Sequence, residues 1–454
     1  MSAFRPVRND SSNWTSRFVS FGRHVTLQSD GQQDYNWTMT PEAALYPRHI
    51  EPRLAEALAD TPVVLIHGPR QCGKTTLARM VGDAAGYAYV TFDDDVQLAA
   101  ALADPVGFVG DLPDRVVLDE VQRAPALFTA IKSAVDRNRA PGRFILTGSA
   151  NVLLIPKLAD SLAGRMEVLR LHPLGQCELA RVKPRFLATL FGGAFKARFA
   201  GRLGAAALAE RITAGGYPAA LARSSATRRA AWYRGYVDTL VQRDVREMAR
   251  ISALDALPRL LQISAGQTAR LANFSELAAP FQLSRPTIRD YVTLLERIFL
   301  LDELPPWYSN RLSRLIKTPK LHLGDTGVAA ALLGLDAETL KRDRATLGRL
   351  LETFVFQELR RQAGWDEAPM AFFHFRDKDG AEVDVVLERG ARELAGVEVK
   401  AAATVTAADF RGLRKLREAA GSRFAAGVVL YDGESSLSFG EDLHAVPIRS
   451  LWER

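Results

Sequence analysis

The sequence predicts an α/β chain: a P-loop parallel sheet with helices on both faces, then a helical lid, a winged-helix module and a second α/β region at the C-terminal end. Three observations predict it. The apolar run Val63-Val64-Leu65-Ile66 leads into Gly68-Pro69-Arg70-Gln71-Cys72-Gly73-Lys74-Thr75, after which Thr76 to Met80 can continue as a helix. Strand-like and helix-like segments then alternate, the pattern of a parallel sheet wound with helices. Far along the chain, Asp384, Glu398 and Lys400 sit on strand-like segments behind a helix that carries Glu352.

With 454 residues, the chain has room for about three domains. Its 47% hydrophobic and 24% charged content fits a globular protein and excludes fibrous and wholly disordered classes. A net charge of +7 is compatible with nucleic acid or an anionic surface and selects neither. Cys72 and Cys177 are the two cysteines, so no disulfide framework is expected and a reducing compartment is. No stretch reaches the roughly eighteen consecutive apolar residues of a membrane helix, and residues 1–38 lack a signal-peptide core. A cytoplasmic location without a membrane partner follows as the expectation. Residues 1–45 read as a flexible extension, because their Asn, Ser, Gln and Asp clusters offer little that packs.

The phosphate loop heads a core expected over residues 46–180. Its glycines let backbone N–H groups wrap phosphates without Cβ clashes; the cradle runs from Gly68, Pro69, Arg70, Gln71, Cys72 and Gly73 to Lys74, Thr75 and Thr76. Lys74 reaches the outer phosphates and Thr75 offers its hydroxyl to Mg²⁺. Tyr87 to Phe92 reads as a second strand, followed by Asp93, Asp94 and Asp95 as a solvated loop. Arg115 to Glu120 reads as a third, with Asp119 at its carboxyl edge to hold the metal's water shell and Glu120 to polarise the attacking water. Arg143 to Leu146 leads into Thr147-Gly148-Ser149, where Thr147 and Ser149 can hydrogen-bond a γ-phosphate. A helix over 151–163, then Gly164-Arg165, precedes a strand over Met166 to Leu171. GTPase base-reading motifs are absent, so ATP is the expected nucleotide.

These residues carry a family resemblance. His67 to Thr76, Leu118-Asp119-Glu120-Val121-Gln122, Leu146-Thr147-Gly148-Ser149, Leu162-Ala163-Gly164-Arg165 and Leu171-His172-Pro173-Leu174 together resemble the prokaryotic AAA-type ATPases that carry an uncharacterised C-terminal domain. The likeness spans residues 46–454 and implies ATP binding and a nuclease-like tail. These proteins are similar to archaeal and STAND-like ATPases, whose Gly-x-Pro element approaches the nucleotide. Gly216-Tyr217-Pro218 matches it, which brings in Pro218. By position, Arg165 resembles the arginine finger with which ring-forming AAA proteins complete a neighbour's site; an exposed arginine or a pair within its own subunit are the alternatives. A homo-oligomer with Arg165 acting in trans is therefore an expectation. Cys72 departs from the small aliphatic residue common in the family and reads as loop filler, since backbone groups do the cradling.

Residues 181–250 place Trp232, Tyr236, Val237, Leu240, Val241 and Val245 at helical spacing and read as the helical lid, with Arg243-Asp244 as a solvated charge pair. Residues 251–340 hold a helix-turn-helix: Phe274 to Ala279, then a helix capped by Ser284 with Pro286 in its first turn. That helix shows Arg285, Thr287 and Arg289 where a major-groove reader places its base contacts, though such modules also serve as rigid lids or protein contacts.

Residues 341–454 hold the last region. Leu351 to Leu359 reads as an amphipathic helix, Phe372 to Phe375 and Ala381 to Leu387 as a hairpin, and Val397 to Lys400 as the next strand. Strand alternation puts Glu398 and Lys400 on one face. If the strands of Asp384 and Glu398 lie side by side, Asp384, Glu398 and Lys400 converge and Glu352 approaches from the helix. Carboxylates so arranged can bind Mg²⁺, and the lysine can orient the water that attacks a phosphodiester. Asp384 and Glu398-Val399-Lys400 resemble the motif of the PD-(D/E)XK nuclease superfamily, and the order helix, three strands, helix, strand agrees with a restriction-endonuclease-like domain. Val383 stands where the motif's leading proline would be. The expected function is ATP hydrolysis controlling a Mg²⁺-dependent nuclease-like domain that acts on DNA; the alternative is a nucleotide-controlled switch whose C-terminal domain binds DNA or protein without cleaving it.

Overall fold

The computed structural model describes residues 45–149, 162–193, 195–196, 198–199, 201–242, 256–309 and 318–453. The chain divides into two units, Met1–Pro47 and Arg48–Arg454, and every helix and strand among the described residues belongs to the second. The N-terminal extension, most of the helix expected over 151–163, and Arg243 with Asp244 lie outside the described residues.

Strands β1 (Val63–His67), β2 (Ala88–Thr91), β3 (Val116–Asp119), β4 (Phe144–Gly148) and β5 (Met166–Arg170) form one parallel sheet in the order β2-β3-β4-β1-β5. Each strand lies within two residues of its sequence-predicted place. β1, β3 and β4 are buried at every position, which is why they read as continuous apolar runs rather than alternating ones. Val63, Leu65, Val116, Leu118, Phe144 and Leu146 pack on one face against the helix Leu127–Arg137, which buries Leu127, Phe128, Ile131, Ala134 and Val135 at helical spacing. Val64, Ile66, Val117 and Ile145 pack on the other, against Leu54 and Ala57 of the helix Glu51–Asp60 and Leu77 and Ala78 of the helix Lys74–Ala84. The register Thr91↔Asp119 and His67↔Gly148 sets the carboxyl ends of the strands level, so loops from several strands meet at one edge.

Beyond the sheet come helices Phe186–Phe191, Ala205–Ala214, Pro218–Leu221 and Ala226–Leu240, with a short strand β6 (Arg198–Phe199) between the first two. Residues 256–309 and 318–323 hold helices Ala256–Gly266, Phe274–Ala278 and Arg285–Arg297 with β7 (Arg270–Leu271), β8 (Leu301–Leu304) and β9 (Lys320–Leu323) in an antiparallel sheet, order β7-β9-β8. Ser284 caps the Arg285–Arg297 helix, accepting from the Thr287 N–H at 3.2 Å. The C-terminal sheet holds β10 (Met370–Arg376), β11 (Glu382–Arg389), β12 (Glu393–Lys400), β13 (Phe424–Tyr431), β14 (Ser435–Ser438) and β15 (Leu443–Pro447), in the order β10-β11-β12-β13-β15-β14-β6.

Two features depart from the sequence expectation. The segment expected as lid lends β6 to the edge of the C-terminal sheet, paired with β14. The helix expected as amphipathic over Leu351 to Leu359 runs Arg344–Trp365 and buries side chains on every side, from Leu347, Leu350 and Leu351 through Thr353, Phe354, Val355, Phe356, Gln357 and Glu358. A helix buried all round is the spine of a core rather than its cover. One apolar cluster accordingly runs from Cys177 through Tyr236, Leu261, Leu295, Val328 and Phe354 to Trp452, so the lid, middle and C-terminal segments share a core.

A pH dependence follows from the last turn of the Arg285–Arg297 helix. Burial, with Glu303 and Asp302 adding like charge, pushes Glu296 from near 4.5 up to about 7. The folded state then holds the proton more tightly than the unfolded chain, so this group's contribution to stability is present below about pH 4.5 and lost as pH rises through about 7. Urea midpoints at pH 5 and pH 8 should fall less for Glu296→Gln than for wild type; equal falls would refute the assignment.

Candidate functional site

The turn after β1 is shaped by close approach. Gly68 has φ 155°, and a Cβ there would stand 2.1 Å from the Leu171 carbonyl oxygen. Gly73, at φ 103°, is left-handed just before the helix Lys74–Ala84, and its backbone opens the N-terminus where phosphates bind. Arg48 braces the loop from below, donating to the Cys72 carbonyl at 2.7 Å and the His172 carbonyl at 2.6 Å. Lys74 is buried and its Nζ donates to the Pro69 carbonyl at 2.9 Å, so the ammonium lies folded over its own loop. Cys72 is fully buried with Sγ 3.4 Å from the Leu171 oxygen, and burial pushes its thiol up. An inert packing role fits that environment.

At the strand ends, the Thr75 hydroxyl donates to both Asp119 oxygens, at 2.9 and 3.1 Å. Asp119 also accepts from Tyr89 OH at 2.8 Å and from the Thr147 hydroxyl. A hydroxyl and a carboxylate in contact, at the mouth of a phosphate loop, suit a Mg²⁺ ion that takes its remaining oxygens from a triphosphate and water. Glu120 adopts φ 58° and ψ 43°, and its N–H donates to Thr147 Oγ1 at 3.0 Å. Its carboxylate accepts from Gln122, whose Nε2 also reaches Ser149 Oγ at 3.0 Å. Asp119, Glu120, Thr147 and Ser149 are thus brought into one hydrogen-bonded cluster through Gln122, which the sequence reading passed over as part of a motif. Arg165 is committed elsewhere in this chain, with Nε donating to Asp136 at 2.6 Å and Nη1 to the Ala163 carbonyl at 3.2 Å. Of the three acids expected as solvated loop, Asp94 caps the helix Asp95–Ala103, and Arg123 pairs with Asp93 and Asp95.

The Gly-x-Pro element is anchored beside the loop. Pro218 opens the helix Pro218–Leu221, the Gly216 carbonyl accepts from the Leu174 N–H at 2.7 Å, and Tyr236 OH donates to the Arg70 carbonyl at 3.1 Å while lying 3.2 Å from Tyr217 OH. From here a buried ionic chain leaves the phosphate loop. Arg48 pairs with Glu178 at 2.9 Å, and Glu178 accepts from the Gly175 N–H at 2.9 Å. The adjacent Gln176 N–H donates to Glu358 at 2.8 Å, and Glu358 pairs with Arg361. Arg361 pairs in turn with Asp325 at 3.3 Å, and Asp325 accepts from the Gly216 N–H at 2.9 Å. The chain therefore joins the phosphate loop to the helix Arg344–Trp365 and closes back on the Gly-x-Pro element.

That helix carries Glu352 into the second candidate centre. β11 and β12 pair antiparallel with Val385 opposite Val397, which places Asp384 beside the end of β12. The Val399 N–H donates to Asp384 Oδ2 at 3.0 Å, and Lys400 Nζ pairs with Glu398 at 2.9 Å. Burial, then Asp384, raises Glu398 to about 8. Glu352, Asp384, Glu398 and Lys400 are all brought to one place. What the sequence did not reveal is Lys320, from β9: its Nζ lies 2.6 Å from Glu352 Oε1 and 3.1 Å from Asp384 Oδ1. Burial works against that ammonium, but Asp384 and Glu352 hold it above lysine's ordinary value. Among the described residues no group of three or more His, Cys, Asp or Glu is arranged to hold a metal ion. Of the expected Mg²⁺ set Glu352, Asp384 and Glu398, the first two thus each give one oxygen to the Lys320 ammonium, while Glu398 Oε2 is buried with no hydrogen-bond partner.

In the middle region, Arg285 is exposed, whereas Arg289 is tied to Glu303 at 2.9 and 3.0 Å and stacks over Phe274, and Thr287 contacts Ser284 at 2.8 Å. A cavity of about 890 Å³ opens nearby, lined by Tyr308, His374, Arg376, Lys378 and Lys415 among others.

Comparison with known proteins places these observations. The AAA domain family matches residues 60–180, a domain of unknown function (DUF8612) residues 205–339, and another (DUF4143) residues 347–451. An uncharacterized protein of Mycobacterium tuberculosis and one of Mycobacterium bovis are each 30% identical over 397 residues, covering 87% of this chain and 82% of theirs. Among solved structures, the Walker-type ATPase PABY2304 of Pyrococcus abyssi is 16% identical with a TM-score of 0.41, over 63% of this chain and 96% of that one. The RuvB Holliday junction branch migration motor of Thermotoga maritima is 18% identical with a TM-score of 0.27, over 56% of this chain and 89% of that one. No helix among the described residues is long and apolar enough to cross a membrane.

Proposed function

On the premise that the chain belongs to the family of the uncharacterized mycobacterial proteins and that its core is a P-loop ATPase, we propose that it is an ATP-driven protein acting on DNA, in which the ATPase controls the nuclease-like C-terminal domain. The observation that carries this reading is the buried ionic chain from Arg48 under the phosphate loop to Glu358 and Arg361 on the helix that bears Glu352. A nucleotide that shifts the loop shifts Arg48, and the helix is the next rigid body in line. Bound Mg²⁺ would neutralise triphosphate charge beside Thr75 and Asp119. The chain's own residues cradle the phosphates with loop N–H groups, draw Lys74 off Pro69 toward phosphate, and aim Glu120 at water through Gln122 and Thr147. Arg165 would act across a homo-oligomer only on leaving Asp136, which makes subunit contact a further part of the proposal.

DNA as the partner is supported by exposed Arg285 and by Arg376, Lys378 and Lys415 on a cavity wall they share with Asp377 and Glu418, since a phosphate backbone is attracted to such cations regardless of sequence. A second reading, a nucleotide-controlled switch that binds without cleaving, is favoured by Lys320 between Glu352 and Asp384. Plasmid, linear and branched DNA incubated with the full chain, with and without ATP, separates them. ATP-dependent cleavage lost in both Lys74→Ala and Asp384→Ala supports the first, ATP-dependent binding without cleavage the second, and no interaction with DNA in either state refutes both as readings of DNA action.

A further inference from the structure

The second carboxylate centre contains a cation of its own. β9 is fastened to the helix Arg344–Trp365 along its length: Gln357 donates to the Leu323 carbonyl at 2.9 Å, His322 Nδ1 lies 3.1 Å from Thr353 Oγ1, and Arg361 holds Asp325 just past the strand. Lys320 stands at the start of this strand, and its side chain is 7% exposed. A buried ammonium is tolerated only when paired, and here two carboxylates from separate elements converge on it, Glu352 from the helix and Asp384 from β11. Asp384's other oxygen is taken by the Val399 N–H. Lys400, the lysine the motif supplies, pairs instead with Glu398 at 2.9 Å.

We propose that Lys320 is the resident cation of this centre, an ammonium that stands in place of a divalent metal on Glu352 and Asp384, so that the centre takes up no divalent ion while β9 is seated. The charges are suited to this. One ammonium bridges Glu352 Oε1 and Asp384 Oδ1, the oxygens the two acids turn toward each other, and a divalent ion brought to the same oxygens would meet a like charge in a buried setting, where repulsion is weakly screened. The inference concerns which cation the acids hold and stands whether the domain acts on DNA or not.

Mn²⁺ binding to the nucleotide-free full chain, followed by electron paramagnetic resonance, tests it. Wild type and Asp384→Asn should bind the same number of ions, because Asp384 holds none in wild type. Lys320→Met should gain one Mn²⁺ per chain, and Lys320→Met with Asp384→Asn should lose it again; Lys320→Arg, which keeps the charge, should gain none. Loss of one ion on Asp384→Asn in the wild-type background, or no gain in a folded Lys320→Met, overturns the proposal. Should Lys320→Met fail to fold, the comparison of wild type with Asp384→Asn decides alone. Loss of DNA action with this ion pattern intact would overturn the functional reading and leave the resident cation standing.

Discussion

Glu120→Gln is expected to lower ATP turnover by about 10²–10⁴-fold, the usual contribution of a positioned acid–base group, while nucleotide binding persists. The reason lies in how the side chain is held. The Glu120 backbone is pinned by its N–H to Thr147 Oγ1, and its carboxylate is held by Gln122, which is itself held by Ser149. Glutamine keeps the shape and an oxygen for Gln122 but loses the charge that would polarise a water. Asp119 and Thr75 remain in contact, so the groups that would hold magnesium and phosphate are left as they are. Lys74→Ala should differ, since it removes the cation proposed to leave Pro69 for the outer phosphates and would thereby weaken binding itself. Phosphate release measured beside fluorescent-nucleotide binding distinguishes the two variants. Turnover of Glu120→Gln within about threefold of wild type would remove Glu120 from the water-activating role.

Arg361→Ala should destabilise the whole shared core. Arg361 is 3% exposed and pairs with Glu358 and Asp325, both buried. Removing one partner of a buried ionic group leaves uncompensated charge and typically costs about 3–5 kcal/mol. At the scale of a few degrees per kcal/mol for larger domains, the melting temperature should drop by on the order of 10 °C. The loss is not local, because Asp325 also holds the Gly216 N–H and Glu358 the Gln176 N–H. Calorimetry of wild type and variant checks it, and a fall of less than about 1 kcal/mol, the range of an exposed pair, would show that the chain of ions carries no structural weight.

Much of the fold was legible because it rests on local periodicity. β1, β3 and β4 announced themselves as short apolar runs ending in polar residues at one edge, and Ser284 with Pro286 marked the start of a helix correctly. Strand alternation placed Glu398 and Lys400 on one face, whereas the β11–β12 pairing that brings Asp384 beside the end of β12 is a contact between strands that alternation alone leaves open. The helix Arg344–Trp365 was misjudged because an amphipathic window of nine residues cannot report how many neighbours surround the element. Gln122, Arg48 and Glu178 went unread for another reason: each is an ordinary polar residue whose meaning comes from a partner.

By itself, then, the sequence determined the phosphate loop, the order of strand and helix in the core, and the acids and lysine of the last sheet, since all of these are written in spacing along one segment. Only the tertiary structure decided that Arg48 reaches Glu178 across 130 residues, that Lys320 reaches Asp384 across 64, and that the lid and C-terminal segments share one core. A hydrogen bond within an element is fixed by the element's own repeat. A buried ion pair between elements depends on which faces meet and how far they are withdrawn from water, and no single segment carries that information.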